Sequence, residues 1–149
     1  MDISSRASYP ANSLSNFAPH VFEIDDIHCA SMEGFLQSLK FASPDMQVYV
    51  CTLVGMGAKK KGAKKNWRTK QVLYWKGQEI KRDSKEYQDL LDRAYMALYK
   101  NEGFRNALHS VPNMTFTHSI GKNKQSETVL TAQEFCSRLT KLRDNNGIL

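Results

Sequence analysis

Ser31-Met32-Glu33-Gly34-Phe35-Leu36-Gln37-Ser38-Leu39-Lys40-Phe41 is the stretch from which the rest of the chain can be read. At 3.6 residues per turn, Glu33, Gln37 and Lys40 stand at i, i+4 and i+7 and stack into one narrow stripe. Met32, Phe35, Leu36 and Leu39 fall on a second, apolar stripe that can face a core. The spacing predicts a helix with a carboxylate, an amide and an ammonium along one edge. Ser31 suits the N-cap and Glu33 the first turn. A capping box is ruled out, because Gly34 holds the third helical position where Glu or Gln is needed. Gly34 costs about 1 kcal/mol against Ala inside a helix. Its usual reason is close approach of backbone or ligand. Spacing alone leaves two readings open: the edge of a polar site, or a solvated face of the kind that structural ion pairs also make.

Outward from this helix the chain reads as mixed helix and strand. Residues 20–24 and 27–29 flank Asp25-Asp26 as a small hairpin. Ser43-Pro44-Asp45 reads as N-cap, first-turn proline and acid, opening a helix through about Leu53 that ends at Gly55-Met56-Gly57. Residues 72–80 fit a short strand and turn. Ser84 to about Lys100 is the clearest helix, with Asp83-Ser84-Lys85-Glu86 offering a capping box and Tyr87, Leu90, Leu91, Ala94, Tyr95 and Leu98 a buried stripe. Residues 104–108 add a short helix, and Met114 to His118 alternate as a strand. Thr131-Ala132-Gln133-Glu134 is a capping box that opens a last helix, with Phe135, Leu139 and Leu142 inward. The expectation is one α+β domain over residues 1–149, compact and mostly helical with a few short strands.

Composition bounds the function. The chain has 149 residues, 41% hydrophobic and 24% charged, ordinary values for a globular protein able to bury a core. No apolar run approaches the ~20 residues of a membrane span, and Met1-Asp2-Ile3-Ser4-Ser5 lacks a signal-peptide core, so a cytoplasmic protein without membrane contact is expected. Cys29, Cys51 and Cys136 are scattered and odd in number, which fits reduced thiols. His20, His28, His109 and His118 show no ligand spacing, so no metal and no cofactor is expected.

Charge is uneven. Residues 59–82 hold ten cations against Glu79 alone, a local balance of +9 within a total of +6. Asn66, Trp67, Tyr74 and Trp75 interleave them. Cations neutralise phosphates and rings stack on bases, so the segment suits a phosphate-bearing ligand, including nucleic acid. Most charge runs are solvated loops, and that reading also stands. Gly55, Gly57 and Gly62 would let backbone approach a phosphate, without Walker-type spacing.

Ser15-Asn16-Phe17, Glu33, Gln37, Lys40 and Phe41, Ala58-Lys59 with Gly62, Asn66-Trp67 and Gly121-Lys122-Asn123 follow one another in an order that resembles the NADAR family, the YbiA-like proteins. The resemblance implies a YbiA-like α+β fold and cleavage of an N-glycosidic bond between a ribosyl group and a base. It implies one of two substrates: ADP-ribose on guanine in nucleic acid, or phosphoribosylated intermediates of early riboflavin synthesis. It makes Glu33 catalytic with Lys40 beside it, and places Asn16, Phe17, Gln37, Lys59, Gly62, Trp67, His118, Ser119, Gly121 and Lys122 around the ligand. Two departures stand out. Gly34-Phe35 replaces the His and aromatic that often follow the glutamate, and no acid precedes Gly121-Lys122-Asn123.

Residue chemistry fits such a reaction. Glu33 can stabilise a cationic sugar or take a proton from water. A lysine could instead attack the anomeric carbon if its pKa were lowered, but a neighbouring Glu33 should hold Lys40 charged. Three function classes are therefore ranked: a ribosyl–base glycosidase, a non-catalytic NAD or ADP-ribose reader, and a general nucleic-acid binder acting through residues 59–82. Oligomeric state is open.

Overall fold

Two tight turns and a pair of crossed helices set the architecture of the computed structural model, which describes residues 1–149. Asp25 and Asp26 both adopt positive φ (50° and 66°), the twist that a two-residue hairpin needs. They join β1 (Phe22–Ile24) to β2 (Ile27–Cys29) in antiparallel register, with Glu23 opposite His28. Lys76 and Gly77 do the same between β3 (Val72–Trp75) and β4 (Gln78–Lys81), Leu73 facing Ile80. Asp25 links the two ribbons, accepting from the Trp75 indole at 2.8 Å and from Arg93 at 2.6 Å.

The helices are α1 (Ala11–Leu14), α2 (Met32–Ser38), α3 (Pro44–Cys51), α4 (Gly55–Ala63), α5 (Lys85–Tyr99), α6 (Glu102–His109) and α7 (Ala132–Asp144). A single 3-10 turn covers Gln125–Glu127. The α+β, mostly helical, single-domain architecture is the one expected. One apolar cluster runs through it, with Phe35, Leu39, Tyr87, Tyr95, Phe104 and Phe135 at its centre. Cys29 and Cys51 are buried in it and Cys136 is half-buried. No helix is long and apolar enough to cross a membrane.

The central helix is α2, packed on α3, α4 and β2. Ser31 caps it, accepting from the Gly34 N–H at 3.1 Å and donating to the Leu53 carbonyl at 3.0 Å. Gly34 is required by backbone approach: a Cβ there would sit 2.5 Å from the Leu53 carbonyl oxygen and 3.1 Å from that of Val50. The regular helix stops at Ser38, but Lys40 N–H bonds to the Gln37 carbonyl (3.2 Å) and Phe41 N–H to that of Ser38 (3.1 Å). These tighter i→i−3 bonds keep Lys40 beside Gln37. Buried Gln47 braces this end, donating to the Ser38 and Tyr74 carbonyls.

Three readings of the sequence need correction. Residues 55–63 form a helix, not a lysine-rich loop; Ala58 and Gly62, one turn apart, are buried and let α4 press against α2, so packing overrides three glycines. Residues 114–118 do not make a strand: residues 1–3 run alongside, with Ile3 N–H on the Thr117 carbonyl and Thr117 N–H on that of Met1, but the pairing stops at the single parallel bridge of Thr117 to Asp2. The N-cap of α5 is Ser84, which accepts from the Tyr87 N–H at 3.2 Å; Tyr87 takes the third helical position, so Asp83 and Glu86 do not form a box. The box at Thr131 and Glu134 is present in full.

Candidate functional site

The polar edge of α2 lines a cleft of about 520 Å³, within the range of small-ligand sites. Glu33 is among its lining residues. Helix packing holds it there, its N–H donating to the Asn16 carbonyl at 3.0 Å. The Asn16 side chain accepts in turn from the buried Tyr95 hydroxyl at 2.7 Å. Burial pushes the Glu33 carboxyl above its ordinary value, against the opposing pull of the Gln37 amide and of the Lys59 and Lys40 charges. No salt bridge to Glu33 forms. Burial also lowers the Lys40 ammonium; Glu33 opposes this, while Arg68, Lys122 and Lys59 reinforce it. Glu33 thus acts on Lys40 in the direction expected from the sequence, but burial outweighs it.

Asn16, Glu33, Gln37, Lys40, Lys59, Trp67, His118, Gly121 and Lys122 all line this cleft, as expected from the sequence. Three others do not. Phe17 lies on a separate shallow groove with Tyr9 and His20. Gly62 is buried behind Gln37. Ser119 turns to Asp2, donating from its N–H at 2.8 Å and its hydroxyl at 2.6 Å. Trp67 is only 6% exposed and belongs to the core, so little of its ring is free for stacking.

The basic run also divides. Lys59, Lys64, Lys65 and Arg68 face the cleft, where Lys40 and Lys122 join them. Arg82, read as one cation among many, is 1% exposed and has a structural duty. It forms a two-pronged ion pair with Glu134 (2.6 and 3.1 Å) and donates to the Thr128 carbonyl at 2.9 Å. Tyr87 donates to the Val129 carbonyl alongside. Together they anchor residues 128–130, which form the far wall of the cleft.

His118 stands on the wall across from α2. Its Nδ1 lies 2.8 Å from the Ile3 carbonyl, which can only accept, so Nδ1 carries the proton. In the neutral ring Nε2 is then an acceptor. Gly121 lies against this ring so closely that a Cβ would overlap its Cδ2. A second carboxylate is present after all: Glu127, exposed at the cleft rim and downstream of Gly121-Lys122-Asn123. No sequence signal marked it.

Residues 8–144 match the model of the family described as bacteriophage protein GP30.3. The chain belongs to the GP30.3 family. A protein of Enterobacteria phage T4 is 33% identical over 148 residues, covering 97% of each chain. It is called an uncharacterized 17.1 kDa protein in the Gp30–rIII intergenic region. No solved structure matches. The GP30.3 match overturns the NADAR resemblance, because it takes in every residue that carried it and no NADAR match accompanies it. Motifs of two to nine residues, each weak alone, are outweighed by a match that spans residues 8–144.

Proposed function

We propose that the cleft hydrolyses the bond between a ribosyl C1′ and a base nitrogen in a phosphate-bearing substrate, with ADP-ribosylated guanine in a nucleic-acid strand as the preferred one. One observation carries this reading: a carboxylate without any ion pair lines a cleft whose other charged lining is cationic except for Glu127. A structural acid would be paired there. Burial moves Glu33 toward the range in which a carboxylate can accept a proton from water near neutrality.

The atoms balance simply. Water oxygen bonds to C1′, the C1′–N bond breaks, and its electron pair leaves with the base. The proton lost by water passes to Glu33 and then to the departing base. Ionised Glu33 also offsets the positive charge that develops on the sugar. Lys59, Lys65, Arg68 and Lys122 hold phosphate oxygens, with Lys40 as the innermost cation.

The test is incubation with an ADP-ribosylated guanine oligonucleotide and, separately, with phosphoribosylated pyrimidines of the riboflavin pathway, with released base read by mass spectrometry. Release from the oligonucleotide is expected, and its loss in Glu33→Gln. Release only from the pyrimidines redirects the substrate. Tight ADP-ribose binding by calorimetry with no release from either substrate overturns the enzyme and leaves a reader.

A further inference from the structure

The lysines of α4 and its end, Lys59, Lys60, Lys61, Lys64 and Lys65, meet no acid; none of the chain's ion pairs uses one of them. Ala58 and Gly62 turn the buried side of this helix to α2. At 3.6 residues per turn, Lys59, Lys60, Lys64 and Lys61 then follow one another round its outer side. Lys59 and Lys64 line the cleft, Lys60 stands between them, and Lys61 turns to α3.

The Lys61 ammonium lies 5.7 Å from the centre of the Tyr49 ring on α3. Tyr49 is nonetheless 51% exposed, and Val48, Val54 and Met56, all at the α3–α4 junction, are exposed with it. A single exposed apolar side chain needs no explanation, but a cluster of them beside a run of unpaired cations does. An acidic protein segment would satisfy the lysines and leave the ring without a flat partner. A nucleic-acid strand alternates phosphates with planar bases and satisfies both. Asp45, one turn before Tyr49 on α3, is the acid that ends the belt.

We infer that a single nucleic-acid strand held in the cleft leaves it across α4, with its phosphates on Lys60, Lys61 and Lys64 and a base stacked at Tyr49. A duplex keeps its bases stacked on one another and offers none to the ring. This inference rests on the reading of a strand as the substrate, but concerns the part of the strand that lies outside the cleft and takes no part in hydrolysis.

The experiment is fluorescence anisotropy of the full chain with an unmodified single DNA strand of about 12 nucleotides, within the span of single-strand sites; it needs no turnover. Tyr49→Ala should weaken binding at least about fivefold, the low end of what one stacked base contributes. Gly57→Glu places a carboxylate one turn before Lys61, and a Cβ at Gly57 meets nothing within 4 Å, so the fold accommodates it. It should weaken binding more at low salt than at high. Lys141→Ala, which removes one exposed cation from α7, should leave affinity unchanged. RNA of the same sequence should compete equally, because neither contact meets the 2′-hydroxyl.

Wild-type affinity in Tyr49→Ala overturns the inference, as does a loss in Lys141→Ala equal to that in Gly57→Glu. Tighter binding of duplex than of single strand, a marked preference for RNA, or polyglutamate binding that depends equally on Tyr49 overturns it too. Tyr49-dependent strand binding in a chain that releases no base keeps the belt and rejects the glycosidase. Base release with strand affinity indifferent to Tyr49 keeps the glycosidase and rejects the belt.

Discussion

Glu33 and Glu134 occupy nearly the same local position, each within the first turn of a helix, and the fold treats them in opposite ways. Glu134 closes a capping box, receives two prongs from Arg82 and an amide from Gln88 at 2.7 Å. Burial pushes its carboxyl up, but these donors prevail and hold it below the ordinary value. Glu33 is buried among its neighbours with one amide and distant lysines, and burial prevails. The difference teaches that a first-turn acid is not one kind of residue. What separates the two acids is whether a cation touches them.

The largest effect should follow from removing the unpaired acid. Glu33→Gln is expected to lower base release about 10²- to 10⁴-fold, measured in single turnover, while the protein folds normally. Glu134→Gln, assayed at a temperature where it stays folded, should keep most of its activity. Equal losses in both would erase the distinction.

Next comes the strut. Arg82→Met leaves Glu134 buried without its partner and should cost about 3–5 kcal/mol of stability, read from urea unfolding. A loss under about 1 kcal/mol would mean the pair is no stronger than a surface one.

The two acids also predict opposite pH slopes. For Glu33, raised in the fold, the native chain holds more protons than the unfolded one between the ordinary and raised values. Its ionisation therefore lowers stability as pH rises through that window. Glu134 is depressed, so its contribution is present above the unfolded value and is lost as pH falls through the folded one. Glu33→Gln should accordingly raise the melting temperature more at about pH 8 than at about pH 5, the reverse of an acid that braces the fold. A Glu33→Gln variant less stable than wild type at both would place Glu33 with the struts.

The smallest expected effects lie at the rim. Lys65→Ala and Arg68→Ala should each weaken oligonucleotide binding several-fold and flatten its salt dependence by about one phosphate contact. Ser119→Ala, which disturbs only the Asp2 contacts, should leave base release unchanged.

Much of this was legible in the chain. The α2 stripe, the first hairpin, the first strand and turn of the second, α5 and the α7 box follow from periodicity and turn chemistry, which act over a few residues. Nine of the lining residues were named beforehand, because they cluster near Glu33 and in the basic run or sit at Gly121-Lys122. What escaped depends on distant partners. Helix α4 is made by packing on α2, against the propensity of its glycines. Arg82 looks like any other cation until Glu134, far along the chain, is brought beneath it. Ser119 and Phe17 were chosen for motif membership, and motif membership does not say which way a side chain turns. The family assignment failed for the same reason, since short patterns carried it without the rest of the sequence.

The cleft joins an early wall, residues 16–68, to a late one, residues 118–135. During synthesis the first emerges long before the second. Until α7 docks and Arg82 finds Glu134, residues 128–130 lack their anchors and the cleft has only its early wall. A ribosome-bound chain lacking its last third should thus present Glu33 without a far wall, so that the cleft comes into being only as the polypeptide is finished.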